Sequence, residues 1–244
     1  MRRLAAVLLL LLLSTSALAE APTGVALLAR LADGGDADAQ YGIGTYYMEH
    51  HSSDRELVQA RDWLLLAARQ EHVHAMHRLG LALAEFDVIR DESAALDWVR
   101  NAAEAGLQDA QGTLGQFLFE GVGAQGPDCA GAAQWLSRAD DLGHGDASSD
   151  LVWVLATCPE ESQRDGSRAL RLAFHLVYQH DLKNSDLMDK LAAAYAAAGD
   201  FLSAEIAQQE AIDLASLADT VRLHRRLEAY RAREPWVHRA GEPY

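Results

Sequence analysis

Three glycines in the segment EGVGAQGP have the spacing that dinucleotide-binding proteins use to hold a pyrophosphate. Gly121, Gly123 and Gly126 match Gly-x-Gly-x-x-Gly, a motif that requires a β-strand before it and a helix that begins within it. The preceding residues, AQGTLGQFLFE, instead have helical periodicity, and the next helix is expected to begin at about Asp128. The sequence therefore predicts that these glycines end one helix and turn the chain toward the next.

Five histidines within a short stretch raise the possibility of a metal site. Helical periodicity places His50 and His51 at the end of one helix, and His72 and His74 at the start of another that runs parallel to it. The two pairs then lie at opposite ends of the helices. His74 and His77 can share a helix face, but no third ligand accompanies them. We predict surface and capping roles for these side chains, with no metal and no cofactor.

Residue patterns for nucleophilic or zinc-dependent hydrolysis are missing. Neither lysine of the chain, Lys183 or Lys190, has a serine three residues before it, and there is no Gly-x-Ser-x-Gly or His-Glu-x-x-His. We therefore expect no catalytic residues and no enzymatic activity. An envelope hydrolase or a metal-binding protein built on the same helices stays as the alternative.

The elements that position these residues form an internal repeat. One half of the repeat carries Ala, then Leu or Ile four residues later, then Gly; the three copies are Ala39/Ile43/Gly44, Ala75/Leu79/Gly80 and Ala110/Leu114/Gly115. The other half carries a tryptophan before small residues, with copies at Trp63, Trp98 and Trp135. Each half has the apolar spacing of one helix face. Because one helix pair cannot bury its apolar stripe alone, stacked pairs are predicted, with the tryptophans filling the space between them.

These motifs resemble the Sel1-like repeat family of helix-pair solenoids, which are related to tetratricopeptide repeats. The resemblance rests on the Ala-x-x-x-Leu-Gly motif, the Gly-x-Gly loop at 121–123, and Trp-x-x-x-Ala-Ala at 63–68 and 98–103. It implies an all-α fold, a right-handed α-solenoid of about twelve antiparallel helices. The predicted Sel1-like part covers residues 20–160.

The signature changes after this part, although helical periodicity continues. The segment LMDKLAAAYAAAGDFLSAEIAQQEAIDLAS (187–216) looks like a tetratricopeptide repeat. We predict tetratricopeptide-like C-terminal helices over 161–233, the last of them an arginine-rich cap. A flexible tail is expected over 234–244, which contains Pro235 and Pro243.

The N-terminus has the pattern of a secretory signal peptide. Two arginines precede the apolar run LAAVLLLLLL, and SALA supplies small residues for cleavage after Ala19. We predict a signal peptide over 1–19, no integral membrane segment after its cleavage, and a periplasmic or secreted protein. Cleavage leaves 19 basic and 36 acidic residues, a formal net charge of −17. A chain this acidic is repelled by nucleic acid.

Two cysteines are expected to form a disulfide in the exported protein. By our repeat assignment Cys129 begins the first helix of the last Sel1-like unit, and Cys158 ends its second helix. Antiparallel helices bring the start of one beside the end of the other, so the two thiols are predicted to be neighbours.

The remaining functional signal is a surface for a protein or peptide partner of unknown identity. In helix-pair solenoids the first helices usually line the concave side, and the tryptophan helices are predicted to be these first helices. Residues beside the tryptophans are then predicted to project into a binding groove: Asp62, Asp97, Arg100, Asn101, Gln134, Ser137 and Arg138. The sequence thus favours an exported, non-enzymatic interaction scaffold or adaptor.

Overall fold

A computed structural model describes residues 23–124, 126–179 and 184–239. Over these residues the chain forms twelve α-helices and no strand, which confirms the all-α prediction. Within the same ranges, no helix is both long and apolar enough to cross a bilayer. The predicted signal peptide lies outside the described residues.

The chain divides into two compact units, residues 1–91 and 92–244. In the first unit the helices are α1 (Thr23–Asp33), α2 (Ala37–His50), α3 (Asp54–Ala68) and α4 (Val73–Glu85), followed by a 3-10 turn at Asp87–Ile89. In the second unit they are α5 (Glu92–Glu104), α6 (Gln108–Glu120), α7 (Cys129–Asp141), α8 (Ala147–Thr157), α9 (Gly166–Gln179), α10 (Ser185–Ala197), α11 (Phe201–Leu214) and α12 (Thr220–Arg231), with a 3-10 turn at Glu161–Gln163.

Short polar caps and glycines delimit the helices. The Asp36 carboxylate accepts a hydrogen bond from the Ala39 amide at 2.8 Å, and the Asp128 carboxylate accepts one from the Gly131 amide at 2.9 Å. These bonds satisfy amides that have no partner inside the helix. The short connections that result let successive helices within each unit pack against each other as hairpins.

The repeated glycine makes room for the residue that follows the repeated tryptophan. A Cβ added at Gly44 of α2 would lie 2.8 Å from Leu64 Cγ of α3, and one added at Gly115 of α6 would lie 2.6 Å from Leu136 Cγ of α7. Leu64 and Leu136 are completely buried. The same contact therefore occurs once in each unit, and it explains why the Leu-Gly pair recurs with the tryptophan pattern.

The tryptophans are partly buried. Trp63, Trp98 and Trp135 each keep a minor part of their surface exposed, and Trp63 packs against the core residues Ala39 and Ile43 of α2, as the sequence predicts. The next residue in each copy, Leu or Val, is completely buried. On Trp135 one ring face is covered by the Arg138 guanidinium, whose carbon lies 4.6 Å from the ring centroid.

The segment EGVGAQGP is a turn between two helices. Gly121 ends α6 with a left-handed backbone conformation (φ +75°), and Gly123 is also left-handed (φ +66°). A Cβ on Gly123 would collide with the backbone carbonyl of Glu92, so that position has no space for a side chain. The prediction of a turn is confirmed, because a helix precedes the glycines and α7 begins only at Cys129.

A disulfide joins Cys129, at the start of α7, to Cys158, which follows α8, with their Cα atoms 6.1 Å apart. Both cysteines are buried. The bridge therefore fixes one end of the α7–α8 pair.

Substitution Gly115→Ala should lower the free energy of unfolding by roughly 1–3 kcal/mol, because the added methyl overpacks the contact with Leu136. Gly145→Ala is the matched control, since a Cβ there meets nothing within 4 Å. Its stability should be unchanged or slightly higher. Urea unfolding compares the two variants, and equal stabilities would show that α6 and α7 are not held at this distance.

Removal of the disulfide by Cys129→Ser with Cys158→Ser should cost roughly 3–4 kcal/mol, because a loop with a sequence separation of 29 is no longer closed in the unfolded chain. The measurement is urea unfolding of the oxidised wild type and the double variant. A loss well below 1 kcal/mol would mean that the bridge contributes little to the unit.

Candidate functional site

The seven residues predicted from the sequence lie on three helices. Asp62 is on α3 in the first unit, where its carboxylate pairs with Arg61 at 2.8 Å. The other six lie in the second unit, with Asp97, Arg100 and Asn101 on α5 and Gln134, Ser137 and Arg138 on α7.

On α7 these side chains are partly engaged within the protein. The Ser137 hydroxyl donates to the Ala133 carbonyl at 2.7 Å and accepts from the Arg168 guanidinium at 2.8 Å. Arg138 stacks on Trp135. On α5, Asp97 and Asn101 are exposed to solvent. Whether these residues bind a partner stays a prediction.

The structure reveals a second set of polar side chains, on α6, α8 and α10. Gln116 of α6 donates to the Asp150 carboxylate of α8 at 2.7 Å. The Lys190 ammonium of α10 donates to the Ser149 hydroxyl of α8 at 2.7 Å, and also to the Asp186 carboxylate at 2.7 Å. We call Gln116, Ser149, Asp150, Asp186 and Lys190 the polar strip. It lies entirely within the second unit.

The polar strip is partly shielded from water. Lys190 is 8% exposed, whereas about half of the Asp186 side chain is accessible. Burial raises the pKa of Asp150 above its ordinary value, and the Gln116 hydrogen bond and the charge of Lys190 oppose this rise. The strip therefore presents hydrogen-bond donors and acceptors that include one positive and two negative side chains. Hydrogen bonds between these side chains fix their positions.

Ser149 and Lys190 are the pair most similar to a nucleophile and its base. The sequence does not reveal this pair, because the two residues are 41 positions apart. In the structure the Lys190 ammonium donates to Ser149 and to a carboxylate. An ammonium that donates to the serine oxygen is not placed to accept the serine proton. The hydrogen bond joins α8 to α10.

A buried ion pair lies beside the strip. Arg226 of α12 pairs with Asp189 of α10, and both are almost completely inaccessible to solvent. The Gln208 amide also donates to Asp189, at 3.0 Å, and the guanidinium lies over the Trp153 ring, 4.3 Å from its centroid. The Tyr230 hydroxyl is buried in the same region, and its burial raises the pKa. This network joins α8, α10, α11 and α12.

The segment after α12 also contacts the core of the second unit. The His238 ring stacks on Phe119 with 4.4 Å between centroids, and its Nε2 lies 3.2 Å from a Glu120 carboxylate oxygen. The His238 amide donates to the Thr157 carbonyl at 2.8 Å. The flexibility expected over 234–244 stays a prediction, but His238 within that range is only 2% exposed. Residues 240–244 lie outside the described residues.

The histidines weighed as metal ligands lie in local contacts. His72 caps α4 by accepting from the Ala75 amide at 3.0 Å, stacks on Tyr41 and approaches Asp38 at 3.2 Å. His50 ends α2. Among the residues that the structure describes, no group of three or more His, Cys, Asp or Glu side chains is arranged to hold a metal ion.

The chain carries three Sel1 repeats, which the family profile matches at residues 37–72, 73–107 and 108–144. This confirms the resemblance inferred from the Leu-Gly and tryptophan motifs. The tetratricopeptide-like character of 161–233 stays a prediction.

Solved structures show the same fold. A Sel1 repeat protein from Oxalobacter formigenes shares 22% identity with this chain, with a TM-score of 0.55 over 77% of each chain. A protective antigen of uropathogenic Escherichia coli strains, described as displaying an SLR fold, shares 21% identity with a TM-score of 0.50. That match covers 86% of this chain and 53% of the antigen. Comparison with curated proteins returns no match.

The family profile also corrects our repeat assignment. It counts each repeat from the helix with the Leu-Gly pair, so α2, α4 and α6 are first helices and the tryptophan helices α3, α5 and α7 are second helices. The seven predicted residues therefore lie on second helices. The disulfide runs from the second helix of the last matched repeat to the helix after it. The polar strip, by contrast, begins on a first helix, α6.

Substitution Asp150→Asn tests the electrostatics of the strip. The raised pKa means that the folded chain binds this proton more tightly than the unfolded chain does. The stabilising contribution is therefore present below the unfolded pKa and is lost as the pH rises through the folded pKa. Asparagine does not ionise, so the variant does not bear the cost of burying a charged carboxylate. It should therefore be more stable than wild type at pH 7. The difference should shrink as the pH falls toward about 4.

Urea unfolding at several pH values measures this difference, with Asp97→Asn, at an exposed carboxylate on α5, as the matched control. Lower stability of Asp150→Asn than of wild type at pH 7 would show that attraction to Lys190 outweighs the cost of burial.

Proposed function

We propose that this protein, which carries three Sel1 repeats, is an exported, non-enzymatic scaffold that binds a protein or peptide partner across the polar strip. The Sel1 fold commonly serves as a protein–protein interaction scaffold. The observation that carries the proposal is the set of linked polar side chains on α6, α8 and α10. Side chains that are already held in place lose little conformational entropy when a partner binds.

The charges of the strip favour particular partner chemistry. Asp186 is the most accessible charge of the set, and Lys190 beside it is largely buried. A partner that brings arginine, lysine or backbone amides can therefore bind at Asp186. The net charge of the exported chain adds long-range attraction for a basic partner and speeds encounter. Nucleic acid is disfavoured for the same reason.

Export is supported by two independent features. The N-terminal residues have the composition of a signal peptide, and the disulfide between Cys129 and Cys158 persists in an oxidising compartment. We place the protein in the periplasm or outside the cell.

The alternative, a hydrolase or a metal-binding protein, would need a catalytic pair or a bound metal ion. A hydrolase on this fold would use Ser149 and Lys190, the only serine–lysine hydrogen bond that the described residues show. Loss of an activity in Ser149→Ala, in a panel of ester and amide substrates, would favour that alternative. Metal analysis of the purified protein without a histidine tag tests whether it binds a metal ion.

Crosslinking in the native envelope, followed by pull-down and mass spectrometry, should identify the partner. In the same assay a strip variant, Gln116→Ala with Asp186→Asn, should capture at least tenfold less of the partner while circular dichroism shows the helix content of the wild type. The loss is expected because these side chains supply a donor and the accessible carboxylate.

The matched comparison is the triple variant Asp97→Ala, Arg100→Ala and Asn101→Ala, which changes the surface chosen from the sequence. If the triple variant loses the partner and the strip variant keeps it, the binding surface lies on the second helices. If both keep it, neither surface binds the partner and the proposal is wrong.

A further inference from the structure

The chain after α12 is irregular and packs against the ends of two other helices. Residues 234–239 form no helix, and the amide of His238 donates to the carbonyl of Thr157 at the end of α8. The His238 ring lies on Phe119 and beside the Glu120 carboxylate, at the end of α6. Two residues earlier, Trp236 faces the Arg226 guanidinium, 5.5 Å from ring centroid to the guanidinium carbon.

We call Phe119, Glu120 and the Thr157 carbonyl the seat; they lie on two of the helices that carry the polar strip. On α6, Glu120 follows Gln116 by four residues, so the two side chains share a helix face one turn apart. On α8, Thr157 follows Ser149 by eight residues, two turns further along. The C-terminal segment therefore lies against the carboxyl ends of two of the helices that carry the strip.

We propose that residues 236–239 occupy one end of the partner-binding surface in place of an external peptide. The partner would supply an extended segment with an aromatic residue two positions before a histidine, as in Trp236–Val237–His238. This inference deepens the proposed function and rests on it. The segment and the partner then compete, so the resident segment limits how tightly a partner binds.

The contacts of the seat explain this specificity. An aromatic face and a carboxylate, from Phe119 and Glu120, together select an imidazole. The Thr157 carbonyl binds the peptide backbone, which supplies affinity without regard to sequence. A side chain as deeply buried as His238 shows that the seat accepts a complete ring.

Competition by a tethered segment is strong, because a short linker holds it at an effective concentration in the millimolar range. An external peptide of the same sequence should then bind the intact chain weakly. Freeing the seat should strengthen binding by at least tenfold.

The experiment uses a fluorophore-labelled synthetic peptide of residues 232–244 and measures anisotropy with full-length chains. Chain variant Trp236→Ala with His238→Ala should bind this peptide at least tenfold more tightly than wild type. The control chain, His175→Ala, changes an exposed histidine on α9 and should bind like wild type. The peptide with His238→Ala should lose binding, whereas the peptide with Arg233→Ala, outside the seat, should retain it.

A second measurement avoids any effect of the substitutions on folding. Excess peptide added to the wild-type chain should accelerate hydrogen exchange at the amide of His238, since that amide is released from Thr157. Binding to neither chain, or equal binding to both, overturns the inference, as does unchanged exchange at saturating peptide.

These failures differ from failure of the proposed function. If the strip variant loses its native partner but the peptide binds no chain, the strip is a partner surface and the C-terminal segment is only structural. If the peptide exchanges with the segment but the strip variant keeps its partner, the seat binds peptides and the strip does not.

Discussion

Close approach of helices at the repeated glycines is the contact on which the rest of the fold depends. At Gly115 the Leu136 side chain occupies the space that a Cβ would need, and at Gly44 the Leu64 side chain does the same. A helix of this length cannot bury its apolar face by itself, so each hairpin must be covered by its neighbour. The glycine determines the distance between the two packed helices. This distance in turn fixes the positions of the polar residues on their surfaces.

Beyond the Sel1 repeats, the second unit depends on a different kind of interaction. There Arg226 and Asp189 are buried together, with Trp153 covering the guanidinium. Removing one member would leave an uncompensated charge in the interior, which is far more costly than losing a surface pair. The disulfide between Cys129 and Cys158 constrains the preceding hairpin. The unit therefore combines one ionic and one covalent constraint where the Leu-Gly motif is missing.

These constraints keep the helices that carry the polar strip in place. Gln116, Asp150 and Lys190 bond to one another's helices rather than to flexible loops, so their polar groups are already oriented. Binding at such a surface requires no conformational change of the helices. His238 contacts two of the same helices, α6 and α8, which also carry the surface proposed for the partner.

The amino-acid sequence by itself determined the helical repeat, its approximate boundaries, the turn at Gly121 and Gly123, and the pairing of Cys129 with Cys158. These features are local or periodic, and periodicity can be seen without coordinates. The residual exposure of the tryptophans was not among them, because it depends on how neighbouring helices cover each ring. Only the tertiary structure decided that Lys190 meets Ser149, and which residues Arg226 and His238 contact. These contacts join helices far apart in the chain, and single residues at such separations leave no pattern in a sequence.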